Sequence, residues 1–250
     1  MMRETEVAIA AAKEAGKIAM RYFGKEIKAE TKDDSTPVTA VDRLCEKKII
    51  SIIKRNFPEH SVLSEESGEI KGNEYRWIID PLDGTKYFIR GLPVFGTLIA
   101  LERDGEIICG AAHMPALGRL NFAEKGRGSF TSNKRIKVSK TNNIGKSVVL
   151  YSSLKHFANN NLRNLITIIR SAGMSLSPGV LYAFMLVAEG IADAVISARA
   201  EPWDVATVKI IVEEAGGKMT DFRGNDTIYG GNAVVTNGLL HDKILSILRR

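Results

Sequence analysis

Apolar positions recur along the chain with two different periods, and the change of period organises it. Over residues 4–23, Ala8, Ala11, Ala15, Ile18, Ala19 and Tyr22 fall at three- and four-residue steps ahead of Gly24, which predicts a helix with a C-terminal stop. Residues 25–39 are polar and contain Pro37, so they read as a loop or a short extended piece. A second helix is predicted over 41–56, with Leu44, Cys45, Ile49, Ile52 and Ile53 on one face. Thr39 and Asp42 ahead of it have the spacing of a capping box. The period then shortens to two. Strands are predicted over 61–64, 76–80, 94–101, 106–113, 120–124, 129–131 and 135–139, with Arg103-Asp104-Gly105 as a hairpin turn. This middle region therefore reads as a largely antiparallel sheet. From about residue 146 the periods alternate: strands over 148–152, 192–197, 218–221 and 233–236, helices over 160–171, 180–189, 203–215 and 239–248. The expected fold class is α/β, in α+β layers, with one half spanning 1–145 and the other 146–250.

Composition narrows the function. Of 250 residues, 44% are hydrophobic and 26% charged, enough apolar surface to exclude disorder as the main state. No stretch is apolar enough for a membrane span, and the charged Met1–Glu6 segment is not a signal peptide. Cys45 and Cys109 are too few for a disulfide scaffold and read as buried thiols of a reducing cytoplasm. The net charge of +6 comes from basic residues interleaved with acids. The densest group, Lys134, Arg135, Lys137 and Lys140, reads as a solvated strand face, so the balance suits a small anionic substrate better than nucleic acid.

The chemistry concentrates in carboxylates at element ends. The apolar strand Trp77-Ile78-Ile79 runs into Asp80-Pro81-Leu82-Asp83-Gly84-Thr85, where Pro81 is expected to block the ladder and Gly84 to permit a tight turn. Two acids followed by turn N–H groups suit a hard divalent cation such as Mg²⁺ beside a phosphate. An isolated motif of this kind more often caps a turn, but Glu65-Glu66 also ends a strand, and Asp42 and Asp204 stand at helix starts. The four histidines, His60, His113, His156 and His241, have no metal-ligand spacing and receive no catalytic role.

With Glu65-Glu66-Ser67 before it and Trp203-Asp204-Val205-Ala206 far downstream, the Asp80–Thr85 motif resembles the inositol monophosphatase superfamily across nearly the whole chain. The resemblance implies alternating α-β-α-β-α layers, as in the inositol monophosphatase and fructose-1,6-bisphosphatase type of sugar phosphatase. It implies a cytoplasmic, lithium-sensitive phosphomonoesterase using two or three Mg²⁺, a homodimer that acts on a small phosphorylated metabolite. Glu65, Asp80 and the Leu82 carbonyl would hold one metal, and Asp80, Asp83 and Asp204 a second. Asp42 and Thr85 would orient and deprotonate the attacking water, with Glu65 supporting a third metal, and the N–H groups of Gly84 and Thr85 would bind phosphate. Lys32 matches a basic loop residue of the family only across a one-residue gap. In-line displacement by metal-activated water follows, without a phosphoenzyme. The Asp-x-x-Asp spacing also departs from the Asp-x-Asp of aspartyl-phosphate phosphatases. Some superfamily members bind the transcription machinery, which is the non-enzymatic alternative.

The run Lys86-Tyr87-Phe88-Ile89-Arg90-Gly91 is similar to the histidinol-phosphate phosphatase branch, and Ser197 stands where the inositol branch carries a Glu. Yet Val180 and Ala183 occupy the positions where the two branches respectively place a substrate-binding Asp. Histidinol phosphate, inositol phosphate, fructose 1,6-bisphosphate and 3′-phosphoadenosine 5′-phosphate thus all remain open. Lys32, Arg199 and Glu201 are the candidate substrate contacts, with a solvated loop lysine and a solvated loop pair as the alternatives.

Overall fold

The computed structural model describes residues 1–31 and 37–249. In chain order the elements are α1 (Arg3–Tyr22), β1 (Ala29–Thr31), β2 (Pro37–Thr39), α2 (Ala40–Asn56), β3 (Ser61–Ser64), β4 (Gly68–Ile70), β5 (Tyr75–Asp83), α3 (Thr85–Ile89), β6 (Gly96–Arg103), β7 (Glu106–Met114), β8 (Arg119–Glu124), β9 (Gly128–Thr131) and β10 (Lys134–Ile136). They continue as β11 (Val148–Tyr151), α4 (Asn159–Ser171), β12 (Met174–Leu176), α5 (Val180–Ala188), β13 (Ala194–Ser197), α6 (Pro202–Glu214), β14 (Lys218–Thr220), β15 (Ala233–Thr236) and α7 (His241–Leu248). Lys32 lies outside the described residues.

Strands β10-β9-β8-β7-β6-β5-β3-β4 form one sheet, antiparallel except where β3 runs parallel to β5. Strands β12-β11-β13-β15-β14 form a second, parallel at β12-β11-β13. Because side chains alternate across a strand, each sheet offers two faces for helices. Trp77 and Ile79 of β5 bury beneath Ala8, Ala11 and Ala15 of α1 and Ile49 and Ile53 of α2. Ile78 of β5 joins the core between the sheets with Phe184 of α5, Val208 and Ile211 of α6, and Val195 and Val235 of the second sheet. The outer face of that sheet, Val149, Ile196 and Val234, is covered by Leu165 and Ile168 of α4 and Ile244 and Leu248 of α7. The five layers are therefore α-β-α-β-α, as expected.

Several local expectations are corrected. Leu44 is exposed; Glu46 takes a buried place on α2 instead, because the face is set by where α1 lies. The short pieces β1, β2, β4 and β12, three residues each, and the five-residue α3 carry too little pattern to be read from sequence. Most consequentially, Pro81 does not end its strand. Strand β5 runs to Asp83 through an irregularity against β6, where Asp80 pairs with Leu98 and Asp83 with Gly96. Three steps on β5 match two on β6, a bulge that absorbs one residue. In a regular strand Asp80 and Asp83 would face opposite sides. The extra residue instead returns Leu82 to the layer of Trp77 and Ile79, leaving the two aspartates on the inter-sheet side.

Helix α1 approaches β7 closely at Gly16. A Cβ there would stand 2.4 Å from Nδ1 of His113, whose ring sits 3.1 Å from the Ala12 carbonyl. Gly16→Ala is expected to displace that ring and cost about 1–3 kcal/mol of stability, read as a lowered denaturation midpoint at unchanged m-value.

Candidate active site

Each acidic side chain of the site is positioned by its element. Strand β3 lies parallel to β5, and the Glu65 N–H donates to the Ile79 carbonyl at 3.2 Å, which sets Glu65 beside Asp80. The turn after Glu65 is held by Glu46, whose Oε1 accepts the N–H groups of Glu66 and Ser67 at 3.2 and 3.1 Å. Asp80 Oδ1 accepts the Leu82 N–H at 2.9 Å across the bulge. Asp204 is the third residue of α6; its Oδ2 accepts the Glu201 N–H at 2.8 Å in a capping box, with Pro202 at the helix start. Ligand oxygens of Asp80, Asp83 and Asp204 all come within 4.8 Å of one another.

That proximity is electrostatically costly. Burial raises the Asp80 carboxyl well above its ordinary range, and Glu65, Asp83 and Asp204 raise it further. Asp204 is raised by burial and then by Asp83. Asp83 is pushed up to about 7 by burial and Glu65, against relief from the Leu181 N–H. The charges acting most on Asp80 and Asp204 are carboxylates, so the cluster asks for a cation.

Gly84 joins β5 to α3 with φ +82, and a Cβ there would stand 2.9 Å from the Val94 carbonyl, so the backbone can pass only as glycine. The N–H groups of Gly84 and Thr85, at the first positions of α3, have no partner within that helix. Asp42 serves two purposes at once. Its Oδ2 accepts the Thr39 N–H at 2.8 Å and the Thr39 hydroxyl at 2.6 Å, completing the predicted capping box. Its Oδ1 lies 3.0 Å from the Thr85 hydroxyl, which also has the Leu82 carbonyl at 3.1 Å. Burial raises the Asp42 carboxyl, opposed by the hydrogen bonds from Thr39 and Thr85.

A cleft of about 190 Å³ brings Glu65, Asp80, Asp83, Asp204 and Thr85 together, with Leu82 and Gly84 on its wall. A second cleft of about 540 Å³ adjoins it, lined on its far side by Ser152, His156, Arg199, Glu201 and Trp203. Arg199 Nε and Glu201 Oε1 are 3.9 Å apart there. Sequence reasoning missed Glu46, Tyr87 and His156. Their only signals are a buried-face position, an aromatic after the glycine turn, and a histidine after a strand end.

The model of the inositol monophosphatase family matches residues 2–250, and the chain belongs to that family. It is a phosphoric monoester hydrolase of the inositol monophosphatase type. A histidinol-phosphatase of Chlorobaculum parvum is 38% identical over 94% of this chain and 92% of its own length. A fructose-1,6-bisphosphatase/inositol-1-monophosphatase of Aquifex aeolicus is 35% identical over 98% of this chain and 95% of its own. The crystal structure of the extragenic suppressor protein suhB from Bartonella henselae superposes with a TM-score of 0.93 at 28% identity, covering 100% of this chain and 99% of that one. Among the described residues, no helix is long and apolar enough to cross a membrane.

Proposed function

We propose that the chain hydrolyses a small phosphate monoester of the histidinol phosphate or inositol phosphate type, and that it depends on Mg²⁺. The observation that carries this is one cleft lined by the Asp80, Asp83 and Asp204 cluster and by Thr85, whose hydroxyl bonds to Asp42. The donor set fits the metal: all oxygens, converging, with other carboxylates the charges that act most on Asp80 and Asp204. Glu65, Asp80 and the Leu82 carbonyl are assigned one Mg²⁺, and Asp80, Asp83 and Asp204 a second, with Glu65 supporting a third. Bound there, Mg²⁺ supplies positive charge against the phosphoryl oxygens and acidifies water.

The remaining roles belong to the chain itself. The N–H groups of Gly84 and Thr85 hold phosphate oxygens at the start of α3. The Thr85 hydroxyl aims water at phosphorus and accepts its proton while passing its own to Asp42 Oδ1; the P–O ester bond breaks as the new one forms, and the departing alkoxide takes a proton from solvent water. Arg199 and Glu201 face the alcohol as it leaves. Two relatives are named for different alcohols, histidinol and inositol, so the leaving group is the open choice. The protein is further proposed to work as a homodimer in the cytoplasm.

Exhaustive treatment with EDTA is expected to abolish hydrolysis of histidinol phosphate, and added Mg²⁺ to restore it. Full activity after chelation would refute the metal assignment. Inhibition by Li⁺ is expected from the resemblance to the family.

A further inference from the structure

Three consecutive backbone N–H groups fix the segment that carries Glu65. The N–H of Glu65 donates to the Ile79 carbonyl of β5 at 3.2 Å. Those of Glu66 and Ser67 both donate to Oε1 of Glu46 on α2, at 3.2 and 3.1 Å. The first bond ties the segment to the strand that carries Asp80 and Asp83, and the other two tie it to the helix that carries Asp42. Beyond the turn the chain offers little support. Strand β4 is three residues long and stands at the edge of its sheet, with Glu69 and Ile70 exposed. A piece with so few buried contacts opens easily, so the outer half of the turn rests on Glu46. Glu46 is only 7% exposed and sits one helical turn after Asp42, so both acids leave α2 on the same face.

Glu65 needs that support more than the other acids of the cleft. Asp80, Asp83 and Asp204 bring ligand oxygens within 4.8 Å of one another. Two of that trio stand on β5 and the third on α6, so regular elements hold them. Glu65 is not one of the trio, although it lines the same cleft and is the charge that acts most on both Asp80 and Asp83. Its place depends on its turn. We infer that Glu46 is a positioning residue for Mg²⁺, which sets the affinity for the ion by fixing the backbone that aims the Glu65 carboxylate at Asp80. Glu46 lines neither cleft, so it acts through the turn and not on the ion. Its oxygen accepts two N–H groups with two lone pairs, and a glutamine amide oxygen offers the same number at the same reach. Aspartate keeps the charge but is one methylene too short. The inference rests on the assignment of Glu65 to Mg²⁺ made above.

The test is the rise in melting temperature that Mg²⁺ produces in the full chain, freed of metal with EDTA and without substrate, over a titration of the ion. A ligand of the folded state stabilises it as the logarithm of one plus its concentration over Kd. The melting temperature before Mg²⁺ is added carries any purely structural loss, and the rise carries the affinity, so the two are read separately. Glu46→Gln is expected to keep Kd close to wild type. Glu46→Asp and Glu46→Ala are expected to weaken it by about tenfold or more, the usual effect of losing a residue that orients a metal ligand. The Mg²⁺ needed for half-maximal hydrolysis of histidinol phosphate is expected to rise with it, and kcat at saturating Mg²⁺ to stay nearly intact. If Glu46→Ala does not fold, Glu46→Gln and Glu46→Asp decide between reach and charge by themselves. A Kd unmoved in folded Glu46→Asp protein overturns the inference, as does a Glu46→Gln protein that binds as weakly as Glu46→Asp. Glu65→Gln is the reference. Weaker Mg²⁺ binding by Glu65→Gln alone leaves the metal assignment standing and overturns the role of Glu46; unchanged binding by Glu65→Gln overturns both.

Discussion

Asp83→Asn is expected to lower kcat by at least about a hundredfold, and yet to raise the melting temperature of the metal-free protein. The first effect follows from removing one charge of the cluster proposed to hold Mg²⁺, since charge stabilisation at a reacting phosphoryl group is worth several kcal/mol. The second follows from the cost of that charge in the absence of a cation. Asp83 has its carboxyl raised from 3.8 to about 7 in the folded chain. Between those values the folded state holds a proton that the unfolded state has released, so stability falls as pH rises through about 4 to 7 and stays low above it. Asp80 and Asp204 push in the same direction. At pH 8 in EDTA the variant should therefore melt above wild type, by roughly 2–4 °C for each kcal/mol relieved, and the gap should narrow at pH 5. Differential scanning fluorimetry across that range, paired with steady-state rates, reads both effects. A folded Asp83→Asn protein with most of its activity would remove Asp83 from the metal site.

The other large effect concerns Thr85 and Asp42. Because Asp42 spends one oxygen on the helix cap and the other on Thr85, replacing it mixes two losses. Thr39→Ala separates them: it weakens the cap, at about 1 kcal/mol of stability, and should leave kcat nearly intact. Thr85→Ala and Asp42→Asn should each cost roughly two to four powers of ten in kcat. If the pair acts as one unit, the double variant should be little slower than either single one. Full additivity in kcat, or single variants that lose only thermal stability, would show that Thr85 and Asp42 do not act on water together.

The sequence was most readable where chemistry and local geometry coincide. The cap at Thr39 and Asp42, the cluster of element-end acids and the five layers all follow from spacings within one segment or from the resemblance those segments carry. What it did not disclose depends on partners distant along the chain. The bulge at Pro81 exists in the pairing with β6, so the odd spacing of Asp80 and Asp83 looked like the end of a strand when it is a device for turning both inward. Glu46 gives no sign, within its helix, that it will hold the Glu65 turn. Tyr87 and His156 become neighbours of one cleft only because α3 and the segment after β11 are brought to it from opposite halves of the chain. Arg199 and Glu201 do line that cleft, although nothing in their local pattern distinguishes them from a solvated pair.

Chain order and layer order run out of step, and this bears on how the protein is made. The inner face of the eight-stranded sheet is complete once β10 has been synthesised, but one of the helices that cover it, α6, ends only at Glu214. In chain order the cover over Ile78, Leu98 and Ala112 follows the sheet, first from α5 and then from α6. Asp204, arriving at the start of that same helix, delivers the last acid of the cluster in the act of closing the core. On the assignment proposed above, the full donor set for Mg²⁺ therefore exists only once the hydrophobic surface is sealed.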